Sequence, residues 1–239
     1  MSSWMSTLLV IQQQIIRYVY SLYLIFGITG CCLNIILFSQ RQFRTVSCCT
    51  YFLASSVAMI MNLVFGIGPH MYTLNHADPI TTIPTFCKMR IYLIQVVALT
   101  YRWSLTAACL DRYALSSTNT RLRKLAKVNV ARRIVGTIVI VWVILPVHTL
   151  IFYNLRAGAC GIFYNTTAAL FHGIFTTMAS CVLPASIMFT CALLIRQNLA
   201  LKRQRHQLTK KRDQVKHKNR TRDQQVLVML FMQYSNVGR

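Results

Sequence analysis

Five long apolar runs, separated by short polar stretches, set the pattern of this chain. They cover roughly 15–38, 48–67, 91–110, 134–153 and 168–195. Each has ~20 or more residues, the length of helix needed to cross a hydrocarbon core about 30 Å thick. Inside hydrocarbon no water is available to backbone N–H and C=O groups, so a spanning segment must satisfy them internally, as a helix does. The pattern therefore predicts an all-α fold, an integral membrane helical bundle with five full spans. Ser39-Gln40-Arg41 closes the first run, and Gly68-Pro69 is expected to mark the exit of the second helix into a loop. Residues 196–222 are too polar to span. They are expected to lie along the inner leaflet as a basic cytoplasmic loop, or to extend the fifth helix into the cytoplasm. Residues 226–234 (V-L-V-M-L-F-M-Q-Y) make only ~13 Å of helix and read as a partial sixth span, followed by the short tail 235–239.

Composition agrees with this class. Of the 239 residues 55% are hydrophobic, the mean hydropathy is +0.46, and charged residues make up only 13%, about half the share found in soluble domains. Yet the net charge is +22, from 26 Lys and Arg against four acids. Such a balance also occurs in nucleic-acid binders, and the position of the charges separates the two readings. Basic residues follow the first run (Arg41, Arg44), the third (Arg112, Arg121, Arg123, Lys127) and the fifth, whereas 68–86 contains none and 154–165 only Arg156. This alternation is the positive-inside pattern. It places the N-terminus outside, the odd-numbered loops in the cytoplasm, and excludes nucleic acid as a partner.

Of nine cysteines only Cys87 and Cys160 fall on the outer side, which is oxidising, so these two are the expected disulfide. No C-x-x-C pair is present and the six histidines are scattered, so neither a metal site nor a cofactor is expected. The opening residues lack a charged n-region. Residues 1–14 are expected to face outward, with the first span acting as its own insertion signal.

The third run carries the most specific signal. Cys87 stands before it, Asp111-Arg112-Tyr113 ends it, and Cys87 and Arg112 are 25 residues apart, ~37 Å along a helix. At this spacing the stretch resembles the third transmembrane helix of a rhodopsin-like (class A) G-protein-coupled receptor. The stretches Y-F-L-A-S-S-V-A and L-D-R-Y-A-L-S-S are loosely similar to invertebrate FMRFamide-type neuropeptide receptors. The resemblance implies a bundle of the seven-transmembrane receptor type over 1–239. Sixth-helix C-W-x-P and seventh-helix N-P-x-x-Y motifs have no counterpart here, so it covers five spans and a stub, and a chain truncated in the sixth helix is expected.

What the resemblance implies for function is a receptor and not an enzyme. It would sit in the plasma membrane, bind an extracellular ligand, and signal to a heterotrimeric G protein. Arg112 would be the switch that meets the G protein, with Asp111 neutralising it locally, Tyr113 completing the motif and Asp223 a second acidic partner across the bundle. The Cys87–Cys160 disulfide would fix the second outer loop as a lid. Ile91, Ile94, Gln95 and Ala98, spaced i, i+3, i+4 and i+7, would line the ligand pocket. The mid-span Arg102 would contact ligand or an unseen acid, since a charge at that depth faces the bundle interior. Asn165-Thr166-Thr167 is a glycosylation acceptor in the same outer loop. Trp142 and Pro184 sit where the family has marker residues. The family's acidic sodium-site position in helix two falls on Val57 or Met59, its helix-one Gly-Asn pair reads Gly30-Cys31 with Asn34 further on, and its helix-five tyrosine position is Ala192. Sodium modulation is therefore not expected. Ile94 stands where amine receptors carry an aspartate, which disfavours an amine and leaves a peptide as the expected ligand. Two other readings compete: a non-signalling fragment that is retained or dimerises with a full-length receptor, and a small transporter or channel.

Overall fold

The computed structural model describes residues 2–204 and 207, except 75, 77, 78, 118, 157, 164 and 165. Asn165, Asp223, the 226–234 stub, the 235–239 tail and most of 196–222 lie outside the described residues. The chain divides into two compact units, Met1–Ala192 and Leu193–Arg239. In the second, the described residues 193–204 are helical, so the start of the basic 196–222 segment continues a helix.

Among the described residues five helices are long and apolar enough to cross a membrane: Gln13–Ser39, Ser47–Tyr72, Pro84–Ser116, Val128–Phe152 and Thr166–Gln204, here called spans 1 to 5. That is the mark of a multi-pass membrane protein. Large apolar side chains stand open on their outer faces, among them Phe26, Ile36, Ile140, Ile144 and Phe189, each at least 61% exposed. So much bare apolar surface has no place in water.

The boundaries depart from the apolar runs in informative ways. The first helix begins at Ser2 and reaches Ser39 through a π-helical turn, Ile16–Tyr20, so residues 2–14 are helical. Span 2 does not exit at Gly68-Pro69. It continues to Tyr72 with Pro69 inside it, because a neighbour supplies the hydrogen bonds that the proline disrupts. Span 3 starts with Pro84 in its first turn, where the missing N–H costs nothing. Between spans 3 and 4 a short helix, Thr120–Leu125, is capped by Asn119, whose Oδ1 accepts from the Arg121 N–H at 2.9 Å. Between spans 4 and 5 the fold is not helical: Asn154–Arg156 pairs antiparallel with Ala159–Gly161 in a small hairpin. Its turn uses Gly158 at φ 75°, a conformation glycine adopts freely.

Span 3 is the centre of the first unit. Of its most apolar window 44% is buried, against 6% for span 1. Two clusters pack it. At the end bearing Asp111, Cys48, Tyr51, Ala108 and Ala131 join spans 2, 3 and 4. Nearer mid-span, Leu99, Trp142 and Ala179 join spans 3, 4 and 5, with Trp103 against Trp142 at a ring-centroid distance of 5.4 Å. Trp142 is therefore interior rather than lipid-facing. The first cluster is built on small residues, which let helix backbones approach in a medium without a hydrophobic drive between helices. Ala108 is 2% exposed and Ala131 0%. Ala108→Leu should force spans 2 and 4 off span 3 and lower stability by about 1–3 kcal/mol. Ile140→Ala, on an exposed face, should stay within about 0.5 kcal/mol. Unfolding of the purified protein in detergent, followed by temperature, checks both.

Candidate functional site

A proline inside a helix cannot donate to the carbonyl four residues before it, and its ring crowds that carbonyl. Spans 2, 4 and 5 contain Pro69, Pro146 and Pro184 respectively. In each case a side chain of span 3 donates to a carbonyl upstream of the proline. Arg90 donates from Nε to the Phe65 carbonyl at 3.1 Å and from Nη2 to the Gly66 carbonyl at 2.8 Å; Phe65 is the residue four before Pro69. Tyr92 Oη donates to the Val143 carbonyl at 2.7 Å, just ahead of the 3₁₀ turn Leu145–Val147 that holds Pro146. Arg102 Nη1 donates to the Ser180 carbonyl at 3.2 Å, and Ser180 is four before Pro184. Trp103 Nε1 donates to the Ala179 carbonyl at 2.9 Å. Ala179 and Ser180 lie in a π-helical turn, Met178–Val182, where the ladder is already widened.

Among the described residues Arg102 is held by a neighbouring ring and by backbone, and no acid lies against it. Its Nε donates to Tyr101 Oη at 3.0 Å, its guanidinium carbon lies 5.5 Å from the Tyr101 ring centroid, and its Nη1 serves the backbone. Arg90, Tyr92 and Trp103 were missed in the sequence reading. The available signal was the proline in each facing run, since each one implies a carbonyl in need of a donor.

The expected pocket residues Ile91, Ile94, Gln95 and Ala98 are all half-buried. Gln95 reaches span 5, donating from Nε2 to Thr176 Oγ1 at 3.1 Å. A large apolar cavity of about 560 Å³ lies elsewhere, between spans 2, 3 and 4. Span 3 lines it with Leu93, Val96, Val97 and Thr100, facing Leu53, Val57 and Met61 of span 2 and Val135 and Val139 of span 4, with Arg132 at one edge. None of the five expected pocket residues, Arg102 included, lines it.

At the far end, the three residues of the D-R-Y triplet diverge. Asp111 is 7% exposed and its Oδ2 accepts from Ser47 Oγ at 2.8 Å. Its hydrogen bond thus ties span 3 to the first residue of span 2 instead of to Arg112. Arg112 is exposed, close enough to act on Asp111 and on Cys48 through its charge. Tyr113 is half-buried and, with Asp111, Tyr51 and Leu122, lines a smaller cavity of about 260 Å³. The arrangement leaves a fixed cation presented outward beside a buried carboxylate hydrogen-bonded to Ser47.

The opposite end is closed covalently. Cys87 and Cys160 form a disulfide with their Cα atoms 5.9 Å apart. Cys160 sits in the second strand of the hairpin, opposite Leu155, so the bond pins the hairpin to the first turn of span 3.

Compared with known proteins, the chain matches no family model and no curated protein. The carbonyl donors can be tested directly. Arg90→Met should leave the Phe65 carbonyl without a donor and cost about 1–3 kcal/mol. Adding Pro69→Ala, which restores an N–H for Phe65, should recover part of that loss. A thermal double-mutant cycle in detergent reads the coupling. Strict additivity of the two substitutions would show that Arg90 does not act through the proline.

Proposed function

We propose that the chain is a membrane receptor of the rhodopsin-like kind. It binds an extracellular ligand, a peptide by preference, at the disulfide-bearing end and transmits to a heterotrimeric G protein at the Arg112 end. In this reading it lies in the plasma membrane with its N-terminus outside. What supports it is one observation: a single long helix carries a disulfide-pinned hairpin at one end and, at the other, an exposed Arg112 beside an Asp111 held by Ser47.

The mechanism follows from which contacts can change. A ligand shifts a helix-bundle equilibrium only by binding one arrangement better than another. On the ligand side the hairpin is fixed to span 3, so a ligand that touches the hairpin acts on span 3 directly. On the partner side Arg112 is long, always charged and a multiple donor, suited to the carbonyls and carboxylates of a docking helix. Asp111 bonded to Ser47 holds spans 2 and 3 in one relative position. Repositioning these spans would break that bond and change how Arg112 is presented. The charge pattern gives the same polarity: basic residues gather at the Arg112 end, where an anionic inner leaflet attracts each by about 1 kcal/mol.

The test is ligand-stimulated nucleotide exchange on co-expressed G proteins, screened with a panel of amidated peptides in membranes containing the chain. An active peptide should lose its effect on exchange in Arg112→Ala while its binding is retained, and Ser47→Ala should raise exchange without peptide. Single cysteines at positions 88 and 112, probed with an impermeant thiol reagent on intact cells, check the topology. Labelling of both from outside would sink the receptor reading.

A further inference from the structure

Two histidines meet between spans 4 and 5, near the end that carries the hairpin. His148 Nε2 lies 3.2 Å from His172 Nδ1. The other ring nitrogen of His148, Nδ1, lies 3.0 Å from the Leu145 carbonyl. A carbonyl only accepts, so Nδ1 carries the hydrogen and Nε2 presents a lone pair toward His172. On His172 the second nitrogen, Nε2, lies 3.5 Å from Thr176 Oγ1, which also accepts from Gln95 of span 3. Phe171 and Phe175 meet the His148 ring edge-on, and Tyr153 does the same to His172. Both imidazoles are half-buried, sheltered by aromatic rings yet reachable.

We propose that His148 and His172 form a binding site for a zinc-class divalent metal ion that clamps span 4 to span 5. Zn–N bonds of about 2.0–2.1 Å at a tetrahedral angle place two ligand nitrogens about 3.3 Å apart, and the pair already stands at that separation. His148 also has the support that metal-bound imidazoles have, its other N–H donated to a backbone carbonyl. His172 becomes a ligand through Nδ1 when its hydrogen moves to Nε2, which faces the Thr176 hydroxyl. Both rings then bind as neutral imidazoles, so no net proton leaves the pair. Imidazole donors select zinc-class ions over calcium or magnesium, which prefer oxygen. Among the described residues no three His, Cys, Asp or Glu side chains converge. The protein thus supplies two ligands and water the remainder, an open site weaker than a closed structural one. The two histidines are 24 positions apart on different helices and are scattered along the chain.

The test uses the full chain, purified in lipid nanodiscs. Zinc chloride at neutral pH should raise the unfolding temperature by several degrees, and magnesium or calcium chloride should not. His148→Gln and His172→Gln should each abolish the rise. Cobalt(II) on the unaltered protein should give visible d–d bands without the near-ultraviolet thiolate charge-transfer band that exposed cysteines such as Cys32 and Cys181 would produce. The proposal is overturned if zinc has no effect on the unaltered protein, or if the rise survives in either Gln variant. If the variants do not fold, the cobalt spectrum decides: d–d bands free of thiolate absorption support the histidine site, and any other spectrum rejects it.

Discussion

Proline in a membrane helix leaves a carbonyl that water cannot reach, and the first unit is assembled around that constraint. Among the described residues the three helices packed on span 3, spans 2, 4 and 5, each contain such a proline. In spans 2 and 5 the freed carbonyl is met from span 3, Phe65 by Arg90 and Ser180 by Arg102, while Tyr92 and Trp103 bond the neighbouring carbonyls of Val143 and Ala179. The bonds also fix orientation. A donor at the wrong height or on the wrong face would leave its carbonyl bare, so each bond specifies the register of one neighbour against the central helix. Two of the four donors are arginines, whose charge would be expensive at membrane depth were it not solvated by backbone dipoles. The cost of burying the cation and the cost of orphaning the carbonyl offset each other.

Packing fills in what these bonds position. Small residues bring spans 2, 3 and 4 together at the Arg112 end, where Cys48, Ala108 and Ala131 are all at most 2% exposed. Aromatic rings do the corresponding work where spans 3, 4 and 5 meet, with Trp103 both packed at a tilt against Trp142 and bonded to Ala179. One side chain there serves packing and polar satisfaction together. Span 1 stands apart from this scheme: no residue of Ser21–Ser39 is buried. It lies close to span 2 at Gly27, where an added Cβ would come within 2.8 Å of the Leu63 side chain.

Much of this was legible in the chain. The five spans follow from run length, because a bilayer sets a minimum that few other structures need. The Cys87–Cys160 bond follows from sidedness. Helix ends were less legible: Gly68-Pro69 reads as a stop, and span 2 passes through it because Arg90 lies on a different helix, which no local rule can see. The same blindness explains Arg102, whose partner is a backbone oxygen and so leaves no trace in residue identity. Asp111 and Arg112 are adjacent in sequence yet point to different surroundings, one to Ser47 and one outward, since neighbouring helical positions lie about 100° apart around the axis. The pairing of His148 with His172 depends on how spans 4 and 5 are rotated, and that is a tertiary fact.

Cys87 and Arg90 lie within one turn of span 3, the first tied covalently to the hairpin and the second to two carbonyls of span 2. That end of the helix is therefore a pivot, and the remainder is a lever arm of ~37 Å as far as Arg112. A swing of only five degrees or so about the pivot displaces the tip by about 3 Å over that length, roughly the reach of one hydrogen bond. Motion too slight to disturb the anchored end is thus magnified at the other into the making or breaking of a contact.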